Sequence, residues 1–387
     1  MRMQSSKELW VSPSEYARYL ARIPSGLGLP VACLMLCAIG FIALSSATQF
    51  FAQDTHHFQK QIIWFGIALM AGIGAALIEW NWLRRFVWPI AITTLVLLGM
   101  VFIPGLGVEV NGSRRWLDLG LMRLQVSEFA KLGMVFVLAH YLSVHQRELH
   151  TFYKGFCIPC AWIGSVCLLI LLEPDLGTML LYGMVGYCML FMAGVRMLYL
   201  LPALVLAVAG FVGYLMHDQV RMARITSFMN IESNKAEGAY QLWQSILAFG
   251  AGGTSGVGIG NGRQQLAFLP EAHTDFIFSI IGEELGLPIT IAVVLLFVAI
   301  FVVGMINLRQ APNMFEFSLV LGVLLFIVFQ SLLNFGVVTG CLPTTGISLP
   351  FISYGGSNLV VMFVLCGLMF SCFRRWHRSP ISRAREL

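Results

Sequence analysis

From Leu29 to Phe51 the chain runs without one charged side chain, and nine further apolar runs follow it. They are Ile62 to Ile78, Val87 to Pro104, Phe129 to Val144, Phe156 to Leu172, Met179 to Ala193, Leu198 to Met216, Leu287 to Ile306, Phe317 to Val338 and Leu359 to Phe373. About 20 apolar residues suffice to cross the hydrocarbon of a bilayer as a helix. Backbone facing lipid must satisfy its own N–H and C=O groups, which leaves helices or closed barrels. These runs are continuously apolar and do not alternate, which argues against a barrel. With 58% hydrophobic and 11% charged residues, the chain cannot be a soluble globule of ordinary composition. The sequence therefore predicts an all-α, polytopic integral membrane protein with about ten transmembrane helices.

The Lys and Arg residues set a direction. With the N-terminus inside, fifteen of the 24 fall in inner segments, so the positive-inside rule predicts cytoplasmic termini. Residues 1–24 form an inner tail, 25–374 the membrane domain and 375–387 a second inner tail. No cleavable signal peptide is expected before the first span. Eight of the nine cysteines lie in apolar spans and only Cys341 is expected at the outer face, so no disulfide framework is predicted. The remaining cations concentrate in two outer loops, 105–128 and 217–275, the second being the large one between spans 7 and 8. Cations gathered on an outer face suit an anionic ligand.

Chemistry-bearing groups gather at Arg263 to Gly286, RQQLAFLPEAHTDFIFSIIGEELG. Glu271, His273 and Asp275 fall within five residues, directly before an apolar run that begins at Phe276. Because Leu287 to Ile306 alone can cross the membrane, Phe276 to Leu285 is surplus. It is predicted to form a short helix broken at Gly286 and Pro288, with Asp275 in its first turn, where amide dipoles favour a carboxylate. Glu283 and Glu284 lie two turns deeper, where an ionisable group needs a cavity or a partner.

In the first outer loop, Asn111-Gly112 signals a tight turn, Arg114, Arg115 and Trp116 follow, and Ser127 is placed to cap the next helix. Glu128 and Lys131, at i and i+3, can pair on one helical face. The two carboxylates of Glu173-Pro174-Asp175 suit a helix cap or a cation, the cap being the more ordinary use. The glycine-rich GAGGTSGVGIGNG fits neither nucleotide fingerprint and is read as letting backbone approach backbone or ligand. The last outer loop, Thr339 to Ser357, is uncharged and rich in Gly and Pro, so it must pack on protein or line a cavity.

Several stretches resemble signature segments of the FtsW/RodA (SEDS) family of peptidoglycan polymerases. They are NGSRRWLDLG, LQVSEFAKL, EPDLGT, YQLWQSILAFGAGG, GVGIGNGRQQLAFLPEAHTDFIFSIIGEELG and LPTTGISLPFISYGGS. The wording is more similar to the division branch than to the elongation branch, and departs from the family pattern at Val126, Thr254-Ser255 and Asn358. The resemblance implies a ten-helix fold with an outward cavity, in the bacterial inner membrane, that polymerises lipid II onto an undecaprenyl-diphosphate-linked glycan. A class B penicillin-binding protein and other division proteins would be its partners. Nucleic acid and organic cofactors are not expected, and a divalent cation, Mg or Mn, suits the leaving diphosphate. On this reading Asp275 is the catalytic base. Substrate contacts would come from Arg115, Trp116, Lys131, Glu128, His273, Glu271, Ser353, Tyr354, Gly355 and Gly356, with Arg221 or Arg224 a further cation. A lipid II flippase, a non-catalytic scaffold and an elongation-type role remain alternatives at this level.

Overall fold

The computed structural model describes residues 27–49, 55–110, 113–118, 120, 123–236, 238–264 and 273–382. The N-terminal tail, the Asn111-Gly112 turn and Glu271 lie outside the described residues. Each apolar run forms a helix: α1 (Gly28–Gln49), α2 (Thr55–Leu77), α3 (Val87–Met100), α4 (Val126–Val144), α5 (Ile158–Leu172), α6 (Leu176–Met192) and α7 (Met197–His217), then, after the large loop, α10 (Ile277–Leu308), α11 (Met314–Val338) and α12 (Gly356–Ser382). Among the described residues seven helices are long and apolar enough to cross a membrane. The other three are α3, α4 and α6. With 14 and 17 residues, α3 and α6 are short of a full crossing, whereas α4 has the length but carries Glu128 and Lys131. The last helix continues past residue 374, where the membrane domain was expected to end.

Two parts of the outer loops are more ordered than the sequence suggested. Three strands form an antiparallel sheet, β1 (Gly107–Val110), β2 (Ser113–Asp118) and β3 (Arg123–Gln125), with Trp116 opposite Val108 on one side and Gln125 on the other. In the large loop, α8 (Gln219–Met229) precedes α9 (Tyr240–Gly252). The inner face of α9, Leu242, Ser245 and Ala248, is buried. Ser245 Oγ lies 2.6 Å from Ser279 Oγ on α10 and 2.5 Å from the carbonyl of Val338 on α11. These bonds tie α9 into the bundle.

The predicted break in α10 is present. Gly286 has φ 73° and ψ −174°, a region that suits only glycine, and Pro288 has no N–H to donate. The break frees backbone groups inside the membrane domain. The glycine-rich segment pairs with them: Val257 N–H donates to Glu283 O, Gly258 N–H to Glu284 O, and Leu287 N–H to Gly253 O. A Cβ on Gly256 would stand 2.2 Å from Glu284 O, and one on Gly286 2.5 Å from Gly256 N. The glycines therefore serve backbone against backbone. Phe276 through Glu284 is buried throughout, whereas Leu287, Ile291, Leu295 and Ile306 beyond the break are exposed, as in a lipid-facing helix.

The two ends of the bundle differ. At one end, Arg84 donates to Ser143 Oγ at 3.1 Å and lies 4.5 Å from the centre of the Phe315 ring. There also Arg374 donates to Ala76 O at 3.0 Å, and Trp376 donates to the Glu316 carboxylate. The opposite end carries the sheet, the 173–175 turn, α9, the turn before α10 and the loop 339–356.

Candidate active site

A cavity of about 450 Å³ opens at that opposite end. Its wall takes Arg115 and Trp116 from β2, Glu128 and Lys131 from α4, Arg224 from α8, Asp275 from the turn before α10, and Tyr354 and Gly355 from the last loop. Gln330 and Asn334 of α11, Thr345 and Asn358 complete the parts of the wall used below. The two outer loops that concentrate cations thus converge on one space with Asp275.

Local structure holds several of these residues. Asp275 precedes the N-cap Phe276, so it sits just before the first turn of α10 and not within it. Asn334 Nδ2 donates to its carbonyl at 2.7 Å, and its Oδ2 lies 3.7 Å from where a Cβ on Gly346 would stand. Lys131 is fully buried and donates to Glu128 Oε2 at 2.6 Å and Gln330 Oε1 at 2.7 Å. Glu128 lies in the first turn of α4 as expected, but that helix starts at Val126, so Ser127 is inside it and does not cap it.

Arg115 is clamped onto the turn between α5 and α6. Its Nη2 donates to Pro174 O at 2.9 Å, its Nε to Glu173 O at 3.4 Å, and its Nη1 lies 3.3 Å from Asp175 Oδ2. Asp175 also caps α6, accepting from Thr178 N at 3.0 Å and Thr178 Oγ1 at 2.9 Å, so the cap reading holds. Glu173 is different. It is fully buried, and neither carboxylate oxygen has a hydrogen-bond partner among the described residues. Burial pushes its carboxyl up to about 8, Asp175 adds to the rise, and Arg115 opposes it.

Other expected contacts turn out to be scaffolding. Ser353 does not line the cavity: its hydroxyl donates to Thr274 O at 2.6 Å and accepts from Leu349 N at 2.7 Å, so its one proton is used. Gly356 is also outside the wall, and a Cβ there would stand 2.1 Å from the Trp64 indole. His273 offers its carbonyl to Tyr354 N–H at 3.0 Å, with the two rings 5.7 Å apart, and supports the loop from outside the wall. Arg221 pairs with Asp218 and covers Tyr214, so of the two α8 arginines it is Arg224 that lines the wall.

Glu283 and Glu284 do find partners, and these are not in the cavity. Glu283 accepts from the backbone N–H of Arg263 and Gln264, and Glu284 from Ser46 Oγ and Gly260 N–H. They fasten the glycine-rich segment to α10 and α1. The nine cysteines are free in this structure, and Cys341 is exposed. Sequence reasoning missed Gln330, Asn334, Thr345 and Asn358. Gln330 and Asn334 carried a usable signal, two amides one helical turn apart in an otherwise apolar span.

The comparisons with known proteins agree with one another. A family model described as "Cell cycle protein" (FtsW, RodA, SpoVE) matches residues 28–376. Stage V sporulation protein E of Bacillus subtilis is 37% identical over 354 residues, covering 89% of this chain and 96% of its own length. The probable peptidoglycan glycosyltransferase FtsW of Allochromatium vinosum is 39% identical over 342 residues, covering 85% and 86%. Among solved structures, a chain from work on structural coordination of polymerization and crosslinking by a peptidoglycan synthase complex superposes with a TM-score of 0.78. It is 25% identical and covers 91% of this chain and 98% of its own. The rod shape determining protein RodA of Thermus thermophilus gives 0.67 at 25% identity, covering 90% and 96%. With the match running almost from end to end, this chain belongs to the FtsW/RodA/SpoVE family.

Proposed function

We propose that the protein is a peptidoglycan glycosyltransferase that polymerises lipid II, with Asp275 as general base. The observation that carries this reading is one cavity holding a carboxylate together with Arg115, Lys131 and Arg224. In the reaction a sugar hydroxyl of lipid II attacks the anomeric carbon of the diphosphate-linked glycan. The new C–O bond forms as the bond to the diphosphate breaks, the diphosphate leaves with the electron pair, and the hydroxyl proton passes to Asp275. A hydroxyl is a poor nucleophile, and a positioned base supplies on the order of 10² to 10⁴ in rate. The cations stabilise the leaving diphosphate, and guanidinium suits bidentate phosphate contacts. Among the described residues no three imidazole, thiol or carboxylate groups converge as a metal site. Mg or Mn, if used, would be shared between the diphosphate and one or two carboxylates of the wall.

The identities of 35–39% to relatives named FtsW favour a role in division over one in elongation. The synthase complex that the fold matches supports a class B penicillin-binding protein as partner. Clustering of Arg84, Arg374 and Trp376 away from the cavity supports a cavity facing outward from the inner membrane, with both termini cytoplasmic. The acids that would motivate a transport reading are Glu283, Glu284 and Glu128; the first two are bonded to loop backbone and the third to Lys131, which favours the transfer reading. The test is glycan synthesis from lipid II by the purified protein. Asp275→Asn should abolish polymer while leaving the fold intact, because the Asn334 bond goes to the backbone carbonyl. Polymer made at the wild-type rate by Asp275→Asn overturns the assignment.

A further inference from the structure

Asn334 ties three elements together. From α11 its Nδ2 donates to Asp275 O at 2.7 Å and to Ile347 O at 2.8 Å, joining the turn before α10 to the loop 339–356. Both partners are carbonyls, which only accept, so the amide orientation is forced. Its Oδ1 then has no partner among the described residues, although Asn334 is only 1% exposed and lines the cavity. Thr345 Oγ1, in the same wall, is likewise buried and unpartnered. Between Ile347 and Thr345 lies Gly346 (φ 73°), the residue that faces Asp275 Oδ2.

Buried polar atoms without partners are few in native proteins and costly to keep. Two of them belong to residues of one wall, Thr345 next to Gly346 in the chain and Asn334 bonded to Ile347 on the other side of that glycine, and they are matched to something that enters. We propose that Asn334 Oδ1 and Thr345 Oγ1 form a sugar subsite that hydrogen-bonds the saccharide bringing the attacking hydroxyl to Asp275. Asn334 Oδ1 accepts from a hydroxyl or amide N–H on that sugar, and Thr345 can donate or accept. Because the same Asn334 side chain holds the backbone of Asp275, filling the subsite and placing the base are mechanically one event. Asn334 is thus both a binding and a positioning residue. The inference rests on the reading of the cavity as a glycosyl-transfer site.

Binding is measured first, on full-length Asp275→Asn protein in nanodiscs with lipid II as the probe, so that it is read independently of turnover. Thr345→Val should weaken binding roughly three- to tenfold, the range one neutral hydrogen bond supplies, and Thr345→Ser should restore it. Since the hydroxyl has no partner among the described residues, Thr345→Val should melt no lower than its parent. Asn334→Ala should weaken binding as well. In a chain that keeps Asp275, Asn334→Ala should also lower kcat and alter its pH profile, because the base has lost its anchor. Unchanged lipid II binding by Thr345→Val, or a fall in its melting temperature that accounts for the lost binding, overturns the subsite. If wild-type protein makes no polymer while Thr345→Val still weakens binding, the subsite stands and the transfer reading fails.

Discussion

Glu173→Gln tests the electrostatics beneath the cation that the cavity uses. Glu173 is fully buried, neither of its oxygens is hydrogen-bonded among the described residues, and its carboxyl is raised from 4.5 to about 8. A folded-state value above the unfolded one means that the folded chain holds the proton more tightly. Its contribution is therefore favourable below pH 4.5 and is lost as pH rises through about 8. At about 1.4 kcal/mol per pH unit, complete ionisation costs on the order of 5 kcal/mol as a ceiling, and local relaxation brings the measurable value to roughly half. Gln keeps the shape and the neutrality of the protonated acid and does not titrate. Wild type and Glu173→Gln should thus melt closest together near pH 4, and the variant should gain progressively up to pH 9. At roughly 2 °C per kcal/mol the final gap is about 5 °C. The assay is thermal unfolding of purified protein across that pH range, taken as the difference between the two chains so that other titrating groups cancel. A difference that does not change with pH, or a wild type that gains on the variant as pH rises, refutes the reasoning.

Two further perturbations follow from the same geometry. Lys131→Met leaves the Glu128 carboxylate buried beside no counter-charge and should cost roughly 3–5 kcal/mol. Adding Glu128→Gln should return most of the stability without returning polymerisation, read by thermal melting and by glycan synthesis side by side. Gly286→Ala forces a side chain into a glycine-only conformation and against the backbone of Gly256, so a loss of at least about 2 kcal/mol is expected. Limited proteolysis between 253 and 264 should detect release of the glycine-rich segment.

The helices were legible because lipid imposes one rule on every residue of a span: an uncharged apolar run must satisfy its own backbone. The same rule made the break in α10 visible, since the run from Phe276 is too long for one crossing and contains Gly286 and Pro288. Glu128 with Lys131 was legible from spacing alone. The sheet at 107–125 was not, because strands of four, six and three residues carry no usable period and Arg114-Arg115-Trp116 does not alternate. The loop residues misled for another reason. Ser353 and Gly356 belong to the kind of uncharged, flexible stretch that binds ligands, yet one is hydrogen-bonded within the protein and the other is packed against Trp64. No local pattern distinguishes a hydroxyl facing a cavity from one facing a carbonyl.

The glycine-rich segment shows why charge was a poor guide to chemistry at the start of α10. Glu283 and Glu284 looked functional because ionised groups are expensive at that depth, and the expense is real. It is offset by backbone amides of residues 260–264 and by Ser46, while the carbonyls freed at Gly286 are met by Val257 and Gly258. The acids and the glycines are therefore two halves of one device that makes an interrupted helix tolerable inside a membrane domain. That interruption lets the half-helix from Ile277 lie buried beneath the cavity, at a different angle from the lipid-facing half, with Asp275 at its start. Asp275 depends on this arrangement through Asn334 and Ser353, which bond the carbonyls of residues 275 and 274. The residue proposed to do chemistry is thus one carboxylate, positioned by uncharged groups that hold its backbone and by charged ones that hold the helix behind it.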